Sequence, residues 1–222
     1  MKTIVCYGDS NTWGYKPEKS QPKPGFGRFS YNERWPGKLQ RHLGADYKVE
    51  EEGLNGRTTA FDDPFNPNLC GLKYIDCCLM MKAPLDLLII TLGTNDTKEY
   101  FSVSAWHIAM GLEQLILKAQ SGQYGPQGKN PEILIIAPQP LGNDIAKTWT
   151  GAIFGKESLE KSRVLSKEYK KIAKLHHCHF LDMTGLIESS EVDGVHLDAA
   201  NHEKFAQLVY KKVCEIFTES RK

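Results

Sequence analysis

No stretch of this chain approaches the roughly 20 consecutive apolar residues that a membrane-spanning helix needs. Its first residues carry one lysine and then a short β-branched run, not the pattern of a cleavable leader. Charge of one sign is missing too. Lys plus Arg number 28 against 27 for Asp plus Glu, so no global field draws the protein to nucleic acid or to an anionic membrane. Cys6, Cys70, Cys77, Cys78, Cys178 and Cys214 form no CxxC pair and keep no regular spacing. That spacing argues against a thiol-redox motif and reads as reduced thiols in a cytoplasmic protein. No internal repeat and no low-complexity linker divides the chain. The expectation is a single domain over residues 1–222, without cofactor, membrane or nucleic-acid partner.

What is present is a regular alternation. Apolar runs of strand length fall at residues 3–7, 47–51, 85–92, 132–137 and 179–182. The third and fourth are apolar without alternation, as strands buried on both faces of a parallel sheet must be. Helical spacing fills the gaps over residues 35–43, 105–119 and 159–175, the last with a seam of Val164, Leu165, Tyr169 and Ile172. A final helix is expected behind Asp198 as N-cap, where Phe205, Leu208, Val209, Val213, Ile216 and Phe217 repeat. Strand and helix in turn predict an α/β domain: a five-stranded parallel sheet in three layers, with helices on both faces. Functional groups in that architecture gather beyond the carboxyl ends of the strands.

Three loops are longer than such connections require, at residues 16–32, 53–71 and 138–155. In or beside them stand Trp13, Tyr15, Phe26, Phe29, Phe61, Phe65, Trp149 and Phe154, placed to line a pocket or a subunit contact, or simply to tack each loop down. From the first two loops a homo-oligomer is expected.

The chemistry sits at the expected strand ends. Gly8-Asp9-Ser10 follows the first apolar run, and a serine there is either a turn residue or a nucleophile. Asp193-Gly194-Val195-His196 precedes the last helix. A turn lets Asp193 accept the Nδ1–H of His196 and leaves Nε2 to face Ser10; the plain alternative is an Asp-Gly turn beside an incidental histidine. Asn95, in Gly93-Thr94-Asn95-Asp96, offers an amide to an oxyanion, with an Asx turn as the alternative. Gly56 offers an unobstructed N–H, or is an ordinary Asn-Gly turn. His176-His177-Cys178-His179 is not expected to bind metal, because adjacent side chains at a helix-to-strand junction diverge. Cys77-Cys78 reads as buried packing, and residues 167–174 as a solvated helix face.

Taken in order, Gly8-Asp9-Ser10, Gly56, Gly93-x-Asn95-Asp96 and Asp193-x-x-His196 resemble the four blocks of the SGNH, or GDSL-type, hydrolase superfamily. The flanking stretches at residues 6–14, 51–59 and 92–98 are similar to its bacterial arylesterase/acyltransferase branch. Asn11 stands where the GDSL motif has leucine, and Gly56 where that branch can carry alanine. The resemblance implies a flavodoxin-like sheet, a Ser10/His196/Asp193 triad and an oxyanion hole made by the amides of Ser10 and Gly56 with the Asn95 side chain. It also implies an oligomer whose neighbouring subunits narrow the way to the site.

Substrate contacts are expected from Asn11, Thr94, Ile153, Phe154 and Val195. The expected activity is a metal-free and cofactor-free serine esterase that hydrolyses, or transfers, short acyl groups such as acetyl from aryl, alkyl or carbohydrate esters. Two alternatives stay open: a thioesterase or lysophospholipase of the same superfamily, and a non-catalytic carbohydrate-binding relative.

Overall fold

Alternate residues of the central strands serve two separate cores. In the computed structural model, which describes residues 1–19 and 27–219, strand β1 (Lys2–Gly8) is buried from Ile4 onward. It lies inside a parallel sheet with β2 (Tyr47–Gly53), β3 (Leu87–Thr91), β4 (Glu132–Ala137) and β5 (His179–Asp182), in the order β2-β1-β3-β4-β5. Val5, Tyr7, Leu88, Ile90, Ile133 and Ile135 face one core, while Ile4, Cys6, Leu87, Ile89, Leu134 and Ile136 face the other. Two buried faces explain the unbroken apolar runs.

Among the described residues, seven helices complete the layers. The first, α1 (Ser10–Trp13), is a single turn directly after β1. It is followed by α2 (Trp35–Leu43), α3 (Gly71–Lys82) and α4 (Ala105–Ser121). Another single turn, α5 (Gly151–Phe154), precedes α6 (Ser158–Leu175) and α7 (Ala199–Glu219). Ile75 and Leu79 of α3, Ile108, Leu112 and Leu115 of α4, and Leu165 and Tyr169 of α6 pack on the first face. Trp35 and Leu39 of α2 meet the second, with Phe205, Val209 and Val213 of α7. A fully buried Leu or Ile contributes about 1.5–3 kcal/mol, so both cores hold the strand ends on a stiff platform. The edge strand β2 is charged on purpose: Lys82 reaches Glu50 at 2.9 Å and Glu52 at 3.0 Å, and Arg34 reaches Glu51 at 2.9 Å. Such an edge resists pairing with another chain.

Several local expectations are corrected. The run at 85–92 forms a strand only over Leu87–Thr91. Val164 is 46% exposed, so the seam of α6 runs through Leu165, Tyr169 and Ile172 without it. Helix α3 has no counterpart among the expected helices, because its buried positions Ile75, Cys78 and Leu79 are few and lie behind a glycine start. Of the adjacent cysteines only Cys78 is packed inside, and Cys77 is exposed. Asp198 does cap α7, accepting the Asn201 N–H at 2.8 Å. Phe26 and much of its loop lie outside the described residues.

The strand order has a functional consequence. From β1 the chain steps outward to β2 and then returns to β3 on the other side of β1. The connections therefore diverge between β1 and β3, leaving a crevice at the carboxyl ends of those strands.

Candidate active site

Ser10 is placed by the abrupt end of β1. A side chain at Gly8 would run into the Thr12 hydroxyl and the Thr91 carbonyl, so only glycine lets α1 fold back so tightly there. Asp9 then caps the turn, its carboxylate accepting the Asn11 N–H at 2.9 Å. Burial raises the Asp9 carboxyl to about 6, although the Asn11 amide and the charges of His196 and Arg57 oppose the shift.

The partner of Ser10 comes from the loop before α7. Asp193 is fully buried. One of its carboxylate oxygens accepts the N–H groups of Val195 and His196, both at 3.0 Å, and the other lies 2.8 Å from His196 Nδ1. Burial alone would raise the Asp193 carboxyl, but the hydrogen bond and charge of His196, with these amides, hold it below the ordinary carboxylate range. An ionised carboxylate can only accept, so the imidazole proton belongs on Nδ1 and Nε2 is left as acceptor. That Nε2 lies 2.9 Å from Ser10 Oγ. The structure thus joins Ser10 to His196, 186 residues away in sequence, and through it to Asp193, in one hydrogen-bonded chain.

The His196 loop is itself anchored. Gly142 N–H donates to Gly194 O at 2.8 Å, Ser190 N–H to His196 O at 2.8 Å, and the Thr148 and Thr150 hydroxyls donate to the Asp193 carbonyl. Asn11, expected to contact substrate, directs its side chain to this loop. Its Oδ1 accepts Leu197 N–H at 2.9 Å and its Nδ2 points to Val195 O at 3.5 Å. Tyr15 stacks on the imidazole, ring centres 4.1 Å apart. The sequence flagged Tyr15 as a loop aromatic, but nothing in its spacing tied it to His196.

On either side of β1 lie the ends of β2 and β3. Gly56 holds φ +82°, where a side chain would be strained and would meet Leu69 at 2.9 Å. Asn95 opens a turn after β3, and its Nδ2 donates to the Arg57 carbonyl at 3.1 Å. An amide carries two N–H groups, so one remains for a ligand. Asp96 accepts the N–H and hydroxyl of Thr59 at 2.8 and 2.6 Å and so braces the loop after β2 from behind. Burial pushes Asp96 up to about 6 despite these bonds. Thr94 is buried, its hydroxyl without a partner among the described residues.

Phe154 and Val195 share a small apolar cluster with Leu141 and Ile145, against which Ile153 packs. Val195 adjoins His196 in the chain and belongs to this buried cluster. A cavity lined by Thr3, Lys48, Glu50, Lys82 and Asp86 opens at the amino ends of the strands, away from these groups. The histidine run diverges: His176 pairs with Glu113 at 2.6 Å and His179 with Glu132 at 3.0 Å. No three metal-ligating side chains converge among the described residues. No helix among them is long and apolar enough to cross a membrane.

Residues 6–204 match the profile of the GDSL-like Lipase/Acylhydrolase family. The native aryl esterase of M. smegmatis superposes with a TM-score of 0.89 at 37% identity, over 97% of this chain and 99% of that one. The carbohydrate acetylesterase Est24 of Sinorhizobium meliloti gives a TM-score of 0.89 at 36% identity, over 97% of this chain and all of its own. An acetylxylan esterase of Xylanibacter ruminicola is 25% identical over 214 residues. That alignment takes in 93% of this chain, which spans 42% of the length of that curated relative.

Proposed function

This chain belongs to the GDSL-like lipase/acylhydrolase family and so to the carboxylic ester hydrolases, and we propose that it removes short acyl groups, acetyl foremost, with Ser10 as nucleophile. The observation that carries this reading is the run of two hydrogen bonds, 2.9 Å from Ser10 Oγ to His196 Nε2 and 2.8 Å from His196 Nδ1 to Asp193. Ser10 Oγ attacks the ester carbonyl while His196 Nε2 takes its proton and then delivers it to the leaving alcohol. Asp193 keeps the imidazole in the tautomer this requires and stabilises the imidazolium that forms. The Ser10 and Gly56 amides and the second N–H of Asn95 receive the negative charge that develops on the carbonyl oxygen. Water, activated by His196, then releases the acyl group and restores Ser10.

The substrate class is drawn from the apolar wall of Ile153, Phe154 and Val195, and from relatives named as aryl and carbohydrate acetylesterases. The same wall supports acyl transfer, because it disfavours water where an alcohol would be welcome. A series of p-nitrophenyl esters from acetate to palmitate tests the assignment. Acetate should turn over fastest, palmitate hardly at all, and Ser10→Ala should be inactive on every member. A preference for long chains would point to the lysophospholipase alternative, and a Ser10→Ala protein as active as the wild type would remove the nucleophile. Acetyl ester of an added alcohol, formed in water, would establish transfer.

Phe65 is 81% exposed and meets Tyr100 edge-on at 5.4 Å, within the 53–71 loop expected at a subunit contact. This supports a homo-oligomer, which light scattering at micromolar concentration would reveal as a mass well above 25.0 kDa. Buried free thiols at Cys6, Cys70 and Cys78 support work in the reducing cytoplasm.

A further inference from the structure

We propose that Arg57 is the positioning residue of the oxyanion hole, holding the Gly56 amide and the Asn95 side chain in register with Ser10. This rests on the assignment of Gly56 and Asn95 given above.

Arg57 is buried, yet among the described residues it forms no ion pair with a carboxylate. Leaving a buried guanidinium without a counter-charge is costly, so the group must be satisfied otherwise. Its Nη1 donates to the Gly8 carbonyl at 3.0 Å and also to the Glu52 carbonyl. Its plane lies over Tyr7, 4.3 Å from the ring centre, and near Tyr74 at 5.3 Å. Gly8 ends β1 two residues before Ser10, and Glu52 stands at the end of β2. The side chain therefore clamps the nucleophile's strand to the neighbouring strand.

The backbone of the same residue does the rest. Arg57 O accepts the Asn95 amide at 3.1 Å, which fixes how the third strand end faces the first two. Arg57 N–H closes a turn on Leu54 O at 3.1 Å, and Leu54 N–H in turn donates to Gly8 O at 3.1 Å. Gly56 sits inside that turn, one peptide before Arg57. Any movement of Arg57 tilts the Gly56 peptide and releases the Asn95 side chain together. One residue thus sets both donors relative to Ser10 while touching neither substrate nor nucleophile. Lysine keeps the charge but lacks the flat guanidinium that lies over Tyr7 while one of its nitrogens reaches both carbonyls.

The experiment measures kcat and KM on p-nitrophenyl acetate for Arg57→Lys, Asn95→Ala and the double variant. Misplacing a group by an ångström or less costs up to ~100-fold in rate. Arg57→Lys is therefore expected to lower kcat by roughly 10–100-fold with KM within about twofold, since the donors act in the transition state. In the Asn95→Ala background the same change should cost less, because one of the two donors it positions is gone. Arg57→Ala should recover part of its rate in ethylguanidinium, and the wild type should not respond. Arg57→Lys at wild-type kcat, a loss that multiplies with that of Asn95→Ala, or a loss confined to KM and thermal stability would each overturn the inference. If Asn95→Ala itself keeps full kcat, the oxyanion assignment fails first. If Asn95→Ala is impaired and Arg57→Lys is not, the role of Arg57 alone is lost.

Discussion

Asp193 and His196 meet inside one turn, three residues apart, whereas Ser10, Gly56 and Asn95 arrive from three strand ends and are fastened to each other by Arg57 and Asp96. The first contact is local, because backbone amides of the turn itself grip the carboxylate, while Thr148, Thr150, Gly142, Ser190 and Asn11 hold the loop in place. The second is built across the sheet from polar ties between distant segments. A locally closed acid–base pair keeps its geometry so long as its turn survives. A donor set held by distant ties can be misaligned by a single side chain that leaves the sheet untouched. The difference teaches where damage should show: in protonation on one side, in the height of the barrier on the other.

The largest expected effect belongs to the group both sides share. Ser10→Ala should lower kcat by roughly 10⁴–10⁶-fold with an unchanged melting temperature. A folded variant that keeps its turnover would dissolve the comparison. Next comes the local side. Asp193→Asn preserves an oxygen for the Val195 and His196 amides but presents an N–H to Nδ1, forcing the imidazole proton onto Nε2. A drop in kcat of about 10⁴-fold is expected. A loss below tenfold would mean that the tautomer is set elsewhere.

The long-range side should respond more mildly. Asn95→Ala is expected to lower kcat by roughly 10²–10³-fold and to change KM little, as removal of a single oxyanion donor does. Loss of stability in proportion to activity would recast Asn95 as a turn residue.

The smallest effect is on stability and concerns the braces behind the site. Burial lifts the Asp9 and Asp96 carboxyls from an ordinary 3.8 to about 6. Between those values the folded chain keeps protons that the unfolded chain releases. Their contribution is complete below pH 3.8 and is lost as pH rises through about 6. Asp96→Asn keeps an acceptor for Thr59 but does not titrate. It should therefore gain on the wild type by about 1–2 kcal/mol between pH 5 and pH 8, measured by urea unfolding. A difference independent of pH would show that Asp96 does not titrate between pH 5 and pH 8 and that burial does not lift it to about 6.

The same contrast explains how much could be read from the sequence. The apolar runs located all five strands because two buried faces leave no room for polar alternation, and the strand ends then located the chemistry. Asp193 and His196 were legible by spacing because their contact is made within a turn. Gly56 and Asn95 looked like ordinary turn residues until their order along the chain was matched to a family. Arg57, Asp96 and Tyr15 gave no signal of their parts. Their partners lie at sequence separations that no local pattern encodes, as with Asp96 and Thr59, 37 residues apart. Val164 and α3 were misjudged for a different reason. Periodicity reports an average face, and packing decides single positions at its margin.

The grip of Asp193 on two backbone amides also makes the resting enzyme legible to hydrogen exchange. The N–H groups of Val195 and His196 end on one carboxylate oxygen, in a loop that no regular ladder protects. Their exchange with deuterium is slow only while that carboxylate stays turned toward the imidazole. If the loop opens alone, residues 195 and 196 will take up deuterium while the amides of β1 and β3 remain protected. Two peptide groups thereby report, without any substrate, the fraction of molecules in which the base is aligned.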